Sequence, residues 1–180
     1  MSSLDPWPPD ALAVSRLYTA RQHAALEHLP VLARPVAPDC NGADYTRAVR
    51  ALAAIHAGID RLLLAAEPYR PAAIGPFRPR APRLAGECAA MGAMPDLSKP
   101  APLPEITGIG TYLGARYVVD GAQFGHRQIA ASLARSPVTS VLDRPHSFWR
   151  TPFVDPAEWR RMRAIMRDLT DRRKVAAAAV

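Results

Sequence analysis

Cysteine is nearly missing: Cys40 and Cys88 are the two in 180 residues. They are too few and too far apart for a disulfide framework or a CxxC metal knuckle, so two reduced thiols are expected. Aromatic residues make up only 7% of the chain, and ten glycines cannot occupy every third position, which excludes collagen. No apolar run approaches the ~18 residues of a membrane span. The opening Met1-Ser2-Ser3-Leu4-Asp5-Pro6 has no basic stretch leading into an apolar one, so a soluble, cytoplasmic protein is expected. Sustained alternation of apolar and polar residues is missing too, and β-branched residues are scarce. An all-α architecture follows.

Proline, by contrast, is abundant. There are 19, nine of them between Pro68 and Pro104. Proline breaks a helix interior, so the proline-free windows mark where helices are allowed. These are Asp10–Leu29, Asp39–Glu67, Arg83–Met94, Glu105–Ser136 and Ala157–Val180. The reading is one domain over 1–180, with 1–9 and 176–180 flexible and 68–82 and 95–104 irregular connections on the surface. Lys plus Arg number 23 against 16 Asp plus Glu, a net charge of +7 carried almost wholly by arginine. That balance suits an anionic partner or simply a solvated surface. A basic helical nucleic-acid-binding module fits the charge, although no nucleic-acid motif accompanies it and aromatics are few.

In the second window Tyr45, Val49, Leu52, Ile55, Ile59, Leu62 and Leu63 recur at helical spacing, with Asn41 or Asp44 placed to cap the start. His56 beside that stripe reads as a histidine packed and hydrogen-bonded at the core's edge. The last window carries Trp159, Met162, Ile165, Met166 and Leu169 on one face and mostly arginine elsewhere, a terminal helix fraying into Ala176–Val180. The first window starts at a capping Asp10 and packs through Leu12, Val14, Leu17 and Tyr18. Its other face reads Arg16, Thr19, His23, Leu26 and Glu27. Four residues apart, His23 and Glu27 are neighbours on the helix surface. A carboxylate beside an imidazole fixes its tautomer, as for a metal-bound histidine, and such pairs also occur on ordinary exposed helices.

The window Glu105–Ser136 has helix length yet holds five of the ten glycines. At about 100° per residue, Gly110, Gly114, Gly121 and Gly125 share one side of the axis. Either another helix packs closely there, or a flat ligand lies against exposed backbone. The spacing of Gly108, Gly110 and Gly114 does not match the GxGxxG dinucleotide fingerprint, and no strand precedes them.

The run Leu113-Gly114-Ala115-Arg116-Tyr117-Val118-Val119-Asp120-Gly121-Ala122-Gln123-Phe124-Gly125 resembles the distal-helix signature of the bacterial biliverdin-forming heme oxygenase family, in its bacteriophytochrome-associated type. The stretch Thr19–Glu27 is similar to that family's proximal-helix pattern, and Ser147-Phe148-Trp149 with Trp159 to its final aromatic segment. The resemblance spans roughly residues 10 to 170. It implies a helical bundle with heme between a proximal and a distal helix and His23 as axial iron ligand. Gly121 and Gly125 would leave room for porphyrin and steer bound oxygen sterically, and Arg16 and Arg116 would pair with the propionates. The implied reaction opens the porphyrin at a meso carbon with O2 and reductant, giving biliverdin, CO and ferrous iron. An external electron donor, a ferredoxin or a reductase, would supply the electrons. Two positions depart from the pattern. Ala122 stands where bacterial relatives often have serine, and His126 where a small residue is usual. A distal His126 on the iron would give a heme- or bilin-binding protein without turnover.

Overall fold

The computed structural model describes residues 10–95, 102–136, 147–171 and Ala178. Helices α1 (Ala11–Glu27), α2 (Pro30–Ala33), α3 (Gly42–Ala65), α4 (Ala81–Ala90), α5 (Ile109–Gly121), α6 (Gln123–Leu133), α7 (Ser147–Arg150) and α8 (Pro156–Asp168) make it all-α, with no strand among the described residues. Each proline-free window holds a helix. The expected flexible ends 1–9, 176–177 and 179–180 lie outside the described residues, as do 96–101 of the second connection.

Local chemistry sets the helix ends. Asp10 accepts from the Ala13 amide at 2.7 Å, and Asn41 accepts from the Ala43 and Asp44 amides at 3.0 Å, each satisfying orphan donors of a first turn. Helix α4 stops in a Schellman arrangement. Gly92 takes φ +63°, a left-handed conformation natural to glycine, while the Ala93 amide donates to the Cys88 carbonyl at 2.9 Å. The start of α4 is capped from another helix, because Asp60 of α3 accepts from the Arg80 and Ala81 amides at 2.8 and 2.7 Å.

Two apolar clusters form the core. One joins the first turns of α1 to α5 and α8 through Leu12, Val14, Leu113, Val119, Met162 and Met166. The other joins α3, α4, α6 and α7 through Tyr45, Val49, Leu84, Leu133, Phe148 and Phe153. Cys40 and Cys88 are free and buried, and burial raises both thiols, which keeps them protonated and unreactive. The expected stripe of α3 holds except at Ile55, which is exposed, while Ala48 and Ala53 are buried in its place.

The segment 70–80 corrects the expectation of a surface connection. Ile74, Phe77 and Arg80 are buried at 2%, 4% and 1% exposure, so this stretch is part of the core. Proline excludes a helix there without excluding burial, because extended backbone can still present side chains inward.

Between the clusters runs a buried chain of polar groups. Tyr112 donates to Glu67 at 2.8 Å, and Arg116 donates to Tyr112 at 2.9 Å, to Asp120 at 2.7 Å and to Glu158 at 3.3 Å. The other oxygen of Asp120 accepts from Arg80 at 2.9 Å. Burial opposes the charge of both arginines. It is outweighed at Arg116, held above its ordinary value by Asp120 and Tyr112, whereas at Arg80 burial prevails and the value falls. The geometry accounts for the contrast: among the described residues Arg80 leaves Nη1 unpartnered. Breaking a buried pair by removing one partner strands the other charge. Arg116→Met is therefore expected to cost about 3–5 kcal/mol, read as a lowered urea midpoint.

Candidate functional site

Helix α1 is packed only at its start. Ala11, Leu12, Val14 and Ser15 are buried, whereas residues 16–18 and every residue from 20 to 30 are exposed. Leu17 at 63% and Leu26 at 47% are apolar side chains left in water. His23 lies in this free half with its side chain 73% exposed, and its Nδ1 is 3.2 Å from the Glu27 carboxylate. The carboxylate stands beside Nδ1, so Nε2 is the ring nitrogen turned away from it. Arg16 and Arg21 are also exposed, with no ion pair among the described residues.

The glycine segment is two helices rather than one. The Gly125 amide donates to the Ala122 carbonyl at 3.1 Å, three residues back, and this tightening releases the Gly121 carbonyl from the helical ladder. Gln123 holds the break in place. Its amide nitrogen donates to the Val154 carbonyl at 2.8 Å, and its oxygen accepts from the Phe153 and Val154 amides at 3.0 Å. Val118 (52%), Ala122 and Gly125 stand exposed across the break. They follow one another by four and three residues, so an open, low-relief face runs from the end of α5 onto α6.

The two expected steering glycines differ. A Cβ at Gly125 would meet no heavy atom within 4 Å, so that side is open. At Gly121 a Cβ would come 3.3 Å from Trp159 Cη2, so the space left by the missing side chain serves close packing of α8. Trp159 also stacks on Tyr117, centroids 5.4 Å apart, and meets Phe124 at 5.2 Å. Gly114 has a third role. Its missing side chain admits the Ala178 carbonyl, which also accepts from Ser15 Oγ at 3.2 Å and so ties α1 to α5.

Two expected site residues are placed elsewhere. Arg116 is 2% exposed and engages Asp120, Tyr112, Glu158 and the Gly75 carbonyl, so it is buried out of reach of a propionate at the surface. His126 is 7% exposed, enclosed by Phe148 (centroids 5.0 Å) and Trp149 (5.1 Å), on a different side of α6 from the open face of Gly125. Burial, aided by Arg80, pushes its imidazole down to about 4, and burial with Arg80 and His126 pushes His56 down to about 3. Both rings are neutral at pH 7. His56 packs near Phe148 as expected, but its Nδ1 has no hydrogen-bond partner among the described residues.

The sequence reading passed over Arg127, exposed two residues beyond Gly125, along with Gln123 and the buried carboxylates Glu87 and Glu158. Glu87 organises the aromatic segment: it accepts from Ser147 Oγ at 3.0 Å and the Phe148 amide at 2.6 Å, and from Tyr45, which in turn accepts from Trp149 Nε1. A possible signal for Arg127 was its spacing from Gly125; nothing in the pattern marked the others. Among the described residues no cluster of three His, Cys, Asp or Glu could hold a metal ion. No helix among them is long and apolar enough to cross a membrane. Comparison with protein-family models, curated proteins and solved structures finds no match for the chain.

The glycine geometry is testable by stability alone. Gly125→Ala is expected to be neutral or to stabilise by up to about 1 kcal/mol, because alanine favours helix and meets nothing. Gly114→Ala must displace the Ala178 carbonyl and is expected to lower the melting temperature. The buried histidines fix a pH dependence. Their folded values lie below the ordinary 6.5, so the unfolded chain binds more protons, and their contribution is complete above pH 6.5 and lost as pH falls toward 4 and 3. Asp60, raised by burial, acts in the opposite sense. A His56→Phe/His126→Phe variant is expected to show a flatter urea midpoint between pH 7 and 5 than the parent.

Proposed function

We propose that this protein binds heme between the free half of α1 and the open face across the α5–α6 break, and degrades it oxidatively to biliverdin, CO and ferrous iron in the cytoplasm. The observation that carries the reading is the exposed imidazole of His23, beside Glu27 on a largely exposed helix half. It is supported by a second helix in the same fold whose bare face is built from Val118, Ala122 and Gly125. These residues fit the group: an exposed imidazole nitrogen for the iron, apolar surface for the macrocycle, and arginines without an ion pair among the described residues for its carboxylates.

In this reading His23 Nε2 would bind the iron, with Glu27 beside the ring. Heme, when bound, would supply the oxygen chemistry and be itself the substrate. The bare face at Gly125 would leave room for the macrocycle, with exposed Phe124 next to it. With alanine at 122 there is no hydroxyl to hold water, and the released Gly121 carbonyl is the acceptor that takes this role. Arg16, Arg21 and Arg127 replace Arg116 as propionate partners. The burial of His126 removes the ground for a distal histidine that blocks oxygen. Exposed Arg160, Arg161 and Arg167 on α8 suit an acidic electron donor such as a ferredoxin, or a reductase.

Hemin titration followed by reductant in air tests the reading. A Soret band that bleaches into bilin absorbance is expected. His23→Ala should weaken hemin binding by at least about tenfold, a loss of ~1.4 kcal/mol, and alter the Soret position. No hemin uptake by the parent, or an unchanged spectrum in His23→Ala, would sink it.

A further inference from the structure

Behind the open face, on the core side of α6, three nitrogens lack partners among the described residues: Arg80 Nη1, His56 Nδ1 and His126 Nδ1. They come from three parts of the chain, namely the residue before α4, the middle of α3 and the first turns of α6. One pair of rings brings them together. Phe148 lies 6.1 Å from the His56 ring and 5.0 Å from the His126 ring, while the Arg80 guanidinium stands 4.8 Å over Phe153, whose ring is 5.4 Å from that of Phe148. Arg80 and His126 are 1% and 7% exposed, so bulk water does not serve them. A buried polar atom without a partner costs about 1–3 kcal/mol, and three in one place amount to a strong preference for something that bridges them.

We propose that Arg80, His56 and His126 form an enclosed binding site for one water molecule, which accepts from Arg80 Nη1 and donates to the two imidazole nitrogens. The inventory matches: a guanidinium nitrogen only donates, a neutral imidazole nitrogen can accept, and one water supplies two protons and a lone pair. The charge balance favours water over an anion. Arg80 and Arg116 are already offset by Asp120 and Glu158 through bonds of 2.9, 2.7 and 3.3 Å, which leaves no net positive charge. A metal cation is disfavoured by Arg80 itself. The neutrality of both rings, pushed down by burial and by Arg80, agrees with lone pairs that accept. The fourth orphan, Asp60 Oδ1, belongs to the carboxylate that caps α4, and Asp60 is not among the charges that shift either imidazole. This site is independent of heme. It fastens α6, which carries Gly125, to α3 and to the segment before α4.

A crystal structure of the full chain grown with sodium bromide, with data at the bromine edge, tests the proposal. Expected is a single peak without anomalous signal, within about 3.2 Å of all three nitrogens. An anomalous peak there makes the site an anion site and overturns the proposal, as does direct contact between the two Nδ1 atoms or the absence of any peak. In solution, oxygen-17 relaxation dispersion counts long-lived internal waters, and the count should fall by one in His56→Phe/His126→Phe, with folding checked by circular dichroism. An unchanged count in the folded variant overturns the assignment, and if that variant does not fold, His126→Leu is read by the same count.

Discussion

The arrangement of this molecule depends on Asp120. Its two carboxylate oxygens bridge Arg80 and Arg116, all three at 1–2% exposure. Charges withdrawn from water this far are tolerated only when fully engaged, so the bridge admits little rotation or sliding of α5. Tyr112, Arg116 and Asp120 repeat every four residues and therefore share one face of that helix. Residues two further along point about 200° away, so Gly114, Val118 and Ala122 lie back to back with the ionic face. By locking one side of α5 inward, the bridge leaves Gly114 against Ala178 and α1 and Val118 and Ala122 exposed. The glycine face is in this sense a consequence of the ion pairs behind it.

The break after Gly121 extends the same logic. A straight helix would drift out of register with α1, and two glycines four residues apart weaken the ladder where it parts. Gln123 then converts weakness into a defined geometry, since three hydrogen bonds to residues 153–154 hold the new direction. Trp159 fills the space beside Gly121. The C-terminal aromatic segment is thus a brace for the bend, and Glu87 anchors it from α4 by accepting from Ser147 and Phe148.

How much of this was legible in the sequence depended on range. The split between α5 and α6 and the short α2 and α7 do not follow from spacing and side-chain chemistry within a few residues, whereas the caps at Asp10 and Asn41, the positions of α1, α3, α4 and α8 and the inner face of α8 do. The His23–Glu27 pair is of the same kind. Long-range ionic partners were not legible. Arg116 reads from the sequence as a propionate partner because Asp120 is only one of its partners, while Glu158 and the Gly75 carbonyl are about 40 residues away in sequence. The stretch 70–80 misled for a related reason: its prolines report backbone, while its burial is decided by Phe77 and Arg80 meeting α5. His126 could be read either way until Phe148 and Trp149 were seen to enclose it.

The free half of α1 raises an energetic question of its own. Isolated helices shorter than ~12–15 residues are marginal in water, and most helical stability comes from packing an apolar face. From Arg16 onward α1 is largely exposed, and the His23–Glu27 contact is of a type worth only a few tenths of a kcal/mol. Leu17 and Leu26 remain exposed on it, at 63% and 47%. Whatever covers those side chains binds the helical form and not the frayed one, and so adds to its stability by mass action. A flat, apolar, iron-bearing ligand with acidic edges would cover them, engage His23 and meet the unpaired arginines together. If the proposed reading holds, the exposed half-helix is the element whose stability should be most strongly coupled to heme.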